Sequence, residues 1–218
     1  MKNDLNSRTM LRHWPLSGLA MVCLGGALSA CVPLVPLMVG GAVLGGALVA
    51  TDRRTSGAQL EDEGIELRGN ARLRESMGER ARVNITSYNR QVLLTGEAPT
   101  AQDKQLVEQT VARVENVRAI VNELSVIGNA SLSQRSADAL VTGKVKARLV
   151  DAKDVYATAF KVVTERGTTY LMGRVSQREA DRATEIARGT DGVQRLVRVL
   201  EIISEEELKR LLPTPPPQ

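Results

Sequence analysis

A stretch of about 70 residues occurs twice in this 218-residue chain, and that duplication limits the possible fold more than any other feature. Val83-Asn84-Ile85-Thr86 … Val92-Leu93-Leu94-Thr95-Gly96 returns as Phe160-Lys161-Val162-Val163 … Thr169-Tyr170-Leu171-Met172-Gly173, with the two glycines 77 positions apart. Solenoid repeats run to ~20–50 residues, so this longer period suits two small domains in tandem. The echo continues through a helical pattern at Leu106, Val107, Thr110, Val111 and Val114, answered by Ala180, Ala183, Ile186 and Ala187. Asn116-Val117 then matches Gly192-Val193 after a one-residue gap, and both lead into an apolar strand, Ile120 to Val126 and Leu196 to Ile202.

Each copy therefore reads helix, strand, strand, helix, strand, over 59–128 and 134–204. Alternation at Val83/Ile85 and Phe160/Val162 gives each first strand one buried face. Asn89-Arg90 and Arg166-Gly167 supply the hairpin turns, and Gly96 and Gly173 are expected to end the second strands. The second helix joins strands two and three, which makes those strands parallel with a right-handed crossover. The expected fold class is α+β: in each copy a three-stranded mixed sheet is covered on one face by two helices. Copies this small are marginal alone, so contact between them would help both.

The N-terminus carries a different signal. Lys2, Arg8 and Arg12 precede an apolar run from Leu16 to Leu28, and Leu28-Ser29-Ala30-Cys31 follows the small-residue pattern that closes such a run. This resembles a bacterial lipoprotein signal. The resemblance implies removal of residues 1–30, acylation of Cys31, palmitate included, and anchoring in the outer membrane facing the periplasm, because Val32 is not the Asp that retains such proteins in the inner membrane. Cys23 is the rival, but Ala20-Met21-Val22 puts bulky side chains before it. An uncleaved anchor is the alternative, although residues 16–28 fall short of the ~20 needed to span a bilayer. Residues 31–58 then form a lipidated cysteine and an apolar, Gly-rich tether. Within it, 32–50 either lies at the acyl boundary or inserts as a hairpin or span.

Cleavage would take His13, Trp14 and Cys23 away, leaving no imidazole and no free thiol. That excludes His- or Cys-based catalysis and soft metal ligation, so no catalytic residue, metal or cofactor is expected. The remaining 26 basic and 24 acidic side chains give a net charge of +2, and only Tyr88, Tyr156, Phe160 and Tyr170 are left to stack on bases. Neither property suits nucleic acid. Carboxylate pairs such as Asp151 with Asp154, or Glu205-Glu206-Glu207, carry no sign of a cleft or of a small-molecule substrate. Residues 205–218 read as an acidic and proline-rich tail.

One helix stands out, from about Ser136 to Val150. Its inward row is Val141, Val145 and Leu149, and beside that row lie Leu140, Lys144 and Arg148, with Lys146 flanking them. An apolar wedge among cations suits a bilayer interface, where each cation near an anionic surface contributes ~1 kcal/mol. An ordinary solvated basic face is the other reading. Gly143 costs ~1 kcal/mol relative to Ala inside a helix, which fits close approach of a partner or lipid, or is a plain helix flaw. The opening helix of the first copy, around Leu60 to Ser76, is acidic early (Glu61, Asp62, Glu63, Glu66) and basic late (Arg68, Arg72, Arg74), an order that complements the helix dipole and points to packing or protein contacts.

The strand ending in glycine, the helix opening at Thr100-Ala101-Gln102 or Ser176-Gln177-Arg178-Glu179, and the Val117 or Gly192-Val193 entry to the third strand together resemble the BON domain. Two such domains after a lipidated cysteine, with Thr51-Asp52-Arg53-Arg54-Thr55 ahead of the first, are similar to the dual BON-domain lipoproteins of the outer membrane. The resemblance implies a non-enzymatic protein that binds anionic, phosphatidylglycerol-like phospholipid through its second BON domain, is enriched at the division site and supports envelope integrity. It assigns lipid contact to Leu140, Gly143, Lys144, Lys146 and Arg148. In the family an exposed tryptophan aligns with Leu140, and Leu lacks that residue's interfacial preference. A membrane-tethered adaptor for envelope proteins or peptidoglycan-associated factors is the competing expectation.

Overall fold

The computed structural model describes residues 52–211. The leader with Cys23, the lipidation candidate Cys31, the apolar run 32–50 and the proline-rich end lie outside the described residues. The first copy comprises α1 (Ser56–Met77), β1 (Arg82–Tyr88), β2 (Gln91–Ala98), α2 (Ala101–Ala112), β3 (Ala119–Asn122) and β4 (Ser125–Val126). The second comprises α3 (Leu132–Asp151), a 3₁₀ turn (Ala157–Ala159), β5 (Phe160–Glu165), β6 (Thr168–Ser176), α4 (Gln177–Arg188) and β7 (Arg195–Ile203), and a short α5 (Glu205–Leu211) follows.

Hydroxyl side chains start the helices by accepting otherwise orphaned amides: Thr55 from Ala58, Thr100 from Asp103 and Ser131 from Gln134. Ser131 explains why α3 begins at Leu132, ahead of the expected Ser136, since an exposed Leu132 gives no periodic signal. At the start of α4, Ser176 and Glu179 form a reciprocal capping box. The hairpins take the left-handed geometry expected of two-residue turns, with φ of 49° and 65° at Asn89 and Arg90 and of 50° and 72° at Arg166 and Gly167.

In both copies the first and second strands pair antiparallel and the second and third parallel. Gly96 and Gly173 do not end their strands, which continue to Ala98 and Ser176. They are needed for a close approach: a Cβ at Gly96 would lie 2.1 Å from the Arg82 carbonyl oxygen, and one at Gly173 2.5 Å from that of Ala159. The third strand of the first copy is also broken where the sequence suggests continuity. Asn122 Oδ1 accepts the Leu124 amide at 3.2 Å, and Leu124 drops into the core between β3 and β4. The equivalent β7 runs unbroken. Glu205 to Leu211, read from sequence as part of a tail, form a helix that buries Leu208 and ties Glu207 to Arg174.

Each copy has its own core between helices and sheet, Ile65, Leu73, Val92, Leu94, Val107 and Val111 in the first, and Val145, Leu149, Val162, Leu171, Ala183 and Ala187 in the second. The expectation of one buried face per first strand understates the packing. Tyr88, Leu93, Tyr170, Met172 and Val199 form a third cluster between the copies, with Val121, Val163 and Val197 against it, so the two sheets meet on the faces that the helices leave bare.

That contact is close to two-fold. Tyr88 Oη donates to the Ala159 carbonyl at 3.3 Å, and the repeat mates of these residues, Glu165 77 positions after Tyr88 and Arg82 77 positions before Ala159, form an ion pair across the same interface. Asn84 and Lys161, equivalent in the repeat, both donate across it, Asn84 to Glu165 and Lys161 to Glu66 and the Ser87 carbonyl. The duplicated chain thus closes on itself as a dimer of identical subunits would. Leu93 and Met172, fully buried at roughly 1.5–3 kcal/mol each, contribute more than the ion pairs, whose desolvation offsets most of their attraction.

Candidate functional site

α3 buries Asp138, Val141, Val145 and Leu149, one residue per turn. At 3.6 residues per turn the opposite side carries Leu132, Ser136, Leu140, Gly143, Ala147 and Val150, spaced by fours and threes like a second apolar row. This row faces away from the core: Leu132 is 73% exposed and Leu140 and Val150 are each 69% exposed. Lys144 borders it on one side and Arg135 and Lys146 on the other, all three exposed and with side chains engaged in no hydrogen bond or ion pair within residues 52–211. An outward apolar row with unpaired cations on both edges can lower itself onto an anionic apolar boundary without breaking any internal bond.

The structure sorts the five expected contact residues into two kinds. Leu140, Gly143, Lys144 and Lys146 share the outward half of α3. A Cβ on Gly143 would meet nothing within 4 Å, so among the described residues no protein group approaches there and their packing does not call for glycine. Arg148 is different. Its guanidinium donates to the Gly189 carbonyl and to Thr190 Oγ1 at 3.4 Å, closing the C-terminal end of α4. Its donors serve the fold.

Two buried carboxylates, not singled out as a pair in the sequence, position this geometry. Asp138 on α3 accepts the Arg166 and Gly167 amides at 2.8 and 2.9 Å and so holds the β5–β6 hairpin beneath the helix. Asp62 does the same for the first copy, accepting the Asn89 and Arg90 amides at 2.7 and 2.8 Å and the Ser87 hydroxyl at 2.7 Å. Their signal was present: an Asp as the seventh residue of the opening helix of each copy, 76 positions apart.

Charged groups inside the interface are paired. Burial works to raise the Glu97 carboxyl, and hydrogen bonds from Arg82 and Arg166 outweigh it, so its pKa lies below the ordinary carboxylate value. Burial likewise opposes ionisation of Glu179, and Arg53 together with the Ser176 amide overcomes it. Burial pushes the Tyr88 and Tyr170 phenols up to about 12, so both act as neutral groups. Of the carboxylates that the sequence offers as acid–base pairs, Asp154 is paired with Arg182 and Glu207 with Arg174 at the surface. Among the described residues no group of three or more His, Cys, Asp or Glu side chains could hold a metal ion, and no helix is long and apolar enough to cross a membrane.

Comparison with known proteins adds a lineage to this geometry. The BON domain family matches residues 62–128 and again 137–204. The outer membrane lipoprotein DolP of Haemophilus influenzae is 37% identical over 193 residues, which is 87% of this chain and 97% of that protein. The 21 kDa hemolysin of Actinobacillus pleuropneumoniae is 35% identical over 154 residues, 70% of this chain and 79% of that one. Among solved structures, the type III secretion protein CdsD of Chlamydia trachomatis is 12% identical over 68% of this chain and 97% of its own, with a TM-score of 0.28.

Proposed function

Because this chain belongs to the BON-domain family and carries two copies of the domain in tandem, we propose that it is a non-enzymatic outer-membrane lipoprotein, anchored through acylated Cys31 and facing the periplasm, whose second copy binds anionic phospholipid through the outward face of α3. The observation that carries this reading is the placement of Leu140: fully outward on a helix whose other side is core, beside unpaired Lys144 and Lys146. The resemblance to a relative named as an outer membrane lipoprotein supports the address, and family resemblance adds enrichment at the division site and support of the outer-membrane barrier. Burying one Leu beneath the headgroups is worth roughly 1.5–3 kcal/mol, and two lysines near an anionic surface add ~1 kcal/mol each. Such binding is weak alone and suits a protein that a lipid anchor already holds at the membrane. The test uses a fragment starting at Thr51, which lacks the anchor. Leu140→Glu should lower its co-sedimentation with phosphatidylglycerol vesicles about tenfold while its circular dichroism is unchanged; unaltered co-sedimentation removes α3 as the site.

The adaptor reading has one observation in its favour. Leu60 and Leu67 on α1 are as exposed as Leu140 but have no unpaired lysine beside them, as a protein-binding face would. Absence of vesicle binding by the wild-type fragment at low salt, with capture of an envelope protein through α1, would favour it.

A further inference from the structure

The chain ahead of the first copy is fastened to the second. Arg53 stands two residues before the cap of α1, yet its guanidinium is buried in the second copy, donating to Glu179 Oε1 and Oε2 at 2.5 and 2.8 Å and to the Arg174 carbonyl at 3.0 Å. Both side chains of this pair are 1% exposed. The guanidinium carbon lies 5.9 Å from the centre of the ring of Tyr156, five residues beyond the end of α3. Arg54 turns the other way, to Asp62 at 2.9 Å and onto the Tyr88 ring at 4.3 Å, so the two arginines grip one copy each.

This clamp decides where the polypeptide arrives. Ala50, the last residue of the apolar run, is three peptide links from Arg53, so their Cα atoms are no more than about 11 Å apart whatever path lies between. On the reading that the run from Val32 to Ala50 lies at the acyl boundary, Arg53 stands at or just above a headgroup layer roughly 5–8 Å thick. The side chains around it stand there too. Tyr156 is 47% exposed, Lys153 is exposed without a partner within residues 52–211, and Val150 ends the outward row of α3. An aromatic with a polar tip, a free cation and an aliphatic side chain are the residue types that settle at a bilayer interface.

We infer that Tyr156, Val150 and Lys153 form a second bilayer-contact patch, held against anionic phospholipid headgroups by the Arg53–Glu179 clamp and continuous with the outward row of α3. Leu140 and Val150 are about 15 Å apart along the helix, so the two patches lay α3 along the surface instead of touching it at one point. The first copy then sits on the far side of the sheet-to-sheet contact, away from the lipid. The inference rests on the membrane reading above and adds the orientation to it.

The test places a tryptophan reporter in the full chain, reconstituted in phosphatidylglycerol-containing vesicles with brominated acyl chains, and subtracts the parent signal. Tyr156→Trp and Leu140→Trp should each be quenched at least twofold more than Leu67→Trp on α1. Quenching at 140 with none above the α1 level at 156 overturns the second patch and leaves α3 as the lipid face; the α1 level at both positions overturns the two together. Adding Arg53→Ala, or Glu179→Gln if the former unfolds, should return the signal at 156 to the α1 level. Quenching that survives the loss of the clamp contradicts its role in holding the patch.

Discussion

α1 and α3 occupy the same place in the two copies and use their polar residues in opposite ways. On α1, Arg68 reaches back to Glu61, Arg72 donates to the Arg113 carbonyl, and Glu66 accepts both the Ser87 amide and Lys161 of the other copy. On α3, Arg148 alone among the cations is bonded, and Lys144, Lys146 and Arg135 point outward without partners in residues 52–211. One frame therefore serves two ends. The first copy turns its chemistry inward to hold the pair of sheets together, and the second leaves the outward side chains of α3 exposed, the face we propose for lipid.

The largest effects should come where the inward chemistry is densest. Asp62 holds three groups of its own hairpin and Arg54, whereas Asp138 holds two backbone amides. Asp62→Ala should cost roughly 3–5 kcal/mol in urea unfolding and Asp138→Ala roughly 2–3 kcal/mol. Equal losses would erase the asymmetry between the copies. Gly96→Ala comes next, at roughly 3 kcal/mol, because φ is +115° and the new Cβ would strike a backbone oxygen. Gly173→Ala should cost less, since only the close approach applies there.

Acid should loosen the interface by a smaller amount. Glu97 and Glu179 both have folded-state pKa values below the ordinary 4.5. Their contribution is therefore complete above the unfolded value and fades as pH falls from there through the folded one. Stability measured from pH 7 to pH 3 should stay flat with respect to these groups until about pH 5 and then drop, and Glu97→Gln should flatten part of that drop. The smallest change is Gly143→Ala, expected to raise stability by ~0.5–1 kcal/mol, because nothing in the fold needs a glycine there. A loss of stability would mean that the outward face of α3 is packed after all.

Much of this architecture could be read from residues. The repeat set the two domains, alternating and helical periods gave αββαβ in each, and Val141, Val145 and Leu149 lie on the buried side of α3 as their spacing requires. What stayed hidden depends on long-range partners. Leu93 and Met172 sit in apolar runs that do not tell one covered sheet face from two, so the third core between the sheets had no signature. The Arg53–Glu179 pair joins positions 126 apart, and Arg148 gives its donors to a carbonyl 41 residues on. Gly96 and Gly173 looked like strand ends because a glycine marks a stop and a close crossing equally well.

The difference between the two helices can be measured directly by charge reversal. In the fragment that begins at Thr51, Lys144→Glu with Lys146→Glu is compared with Arg74→Glu, an exposed change on α1, for partition onto vesicles of rising phosphatidylglycerol content at low salt. The α3 pair should lose at least tenfold in partition and most of its dependence on the anionic lipid, with Arg74→Glu close to wild type. Equal losses from both helices, or none from α3, would contradict a lipid-binding face on the second copy.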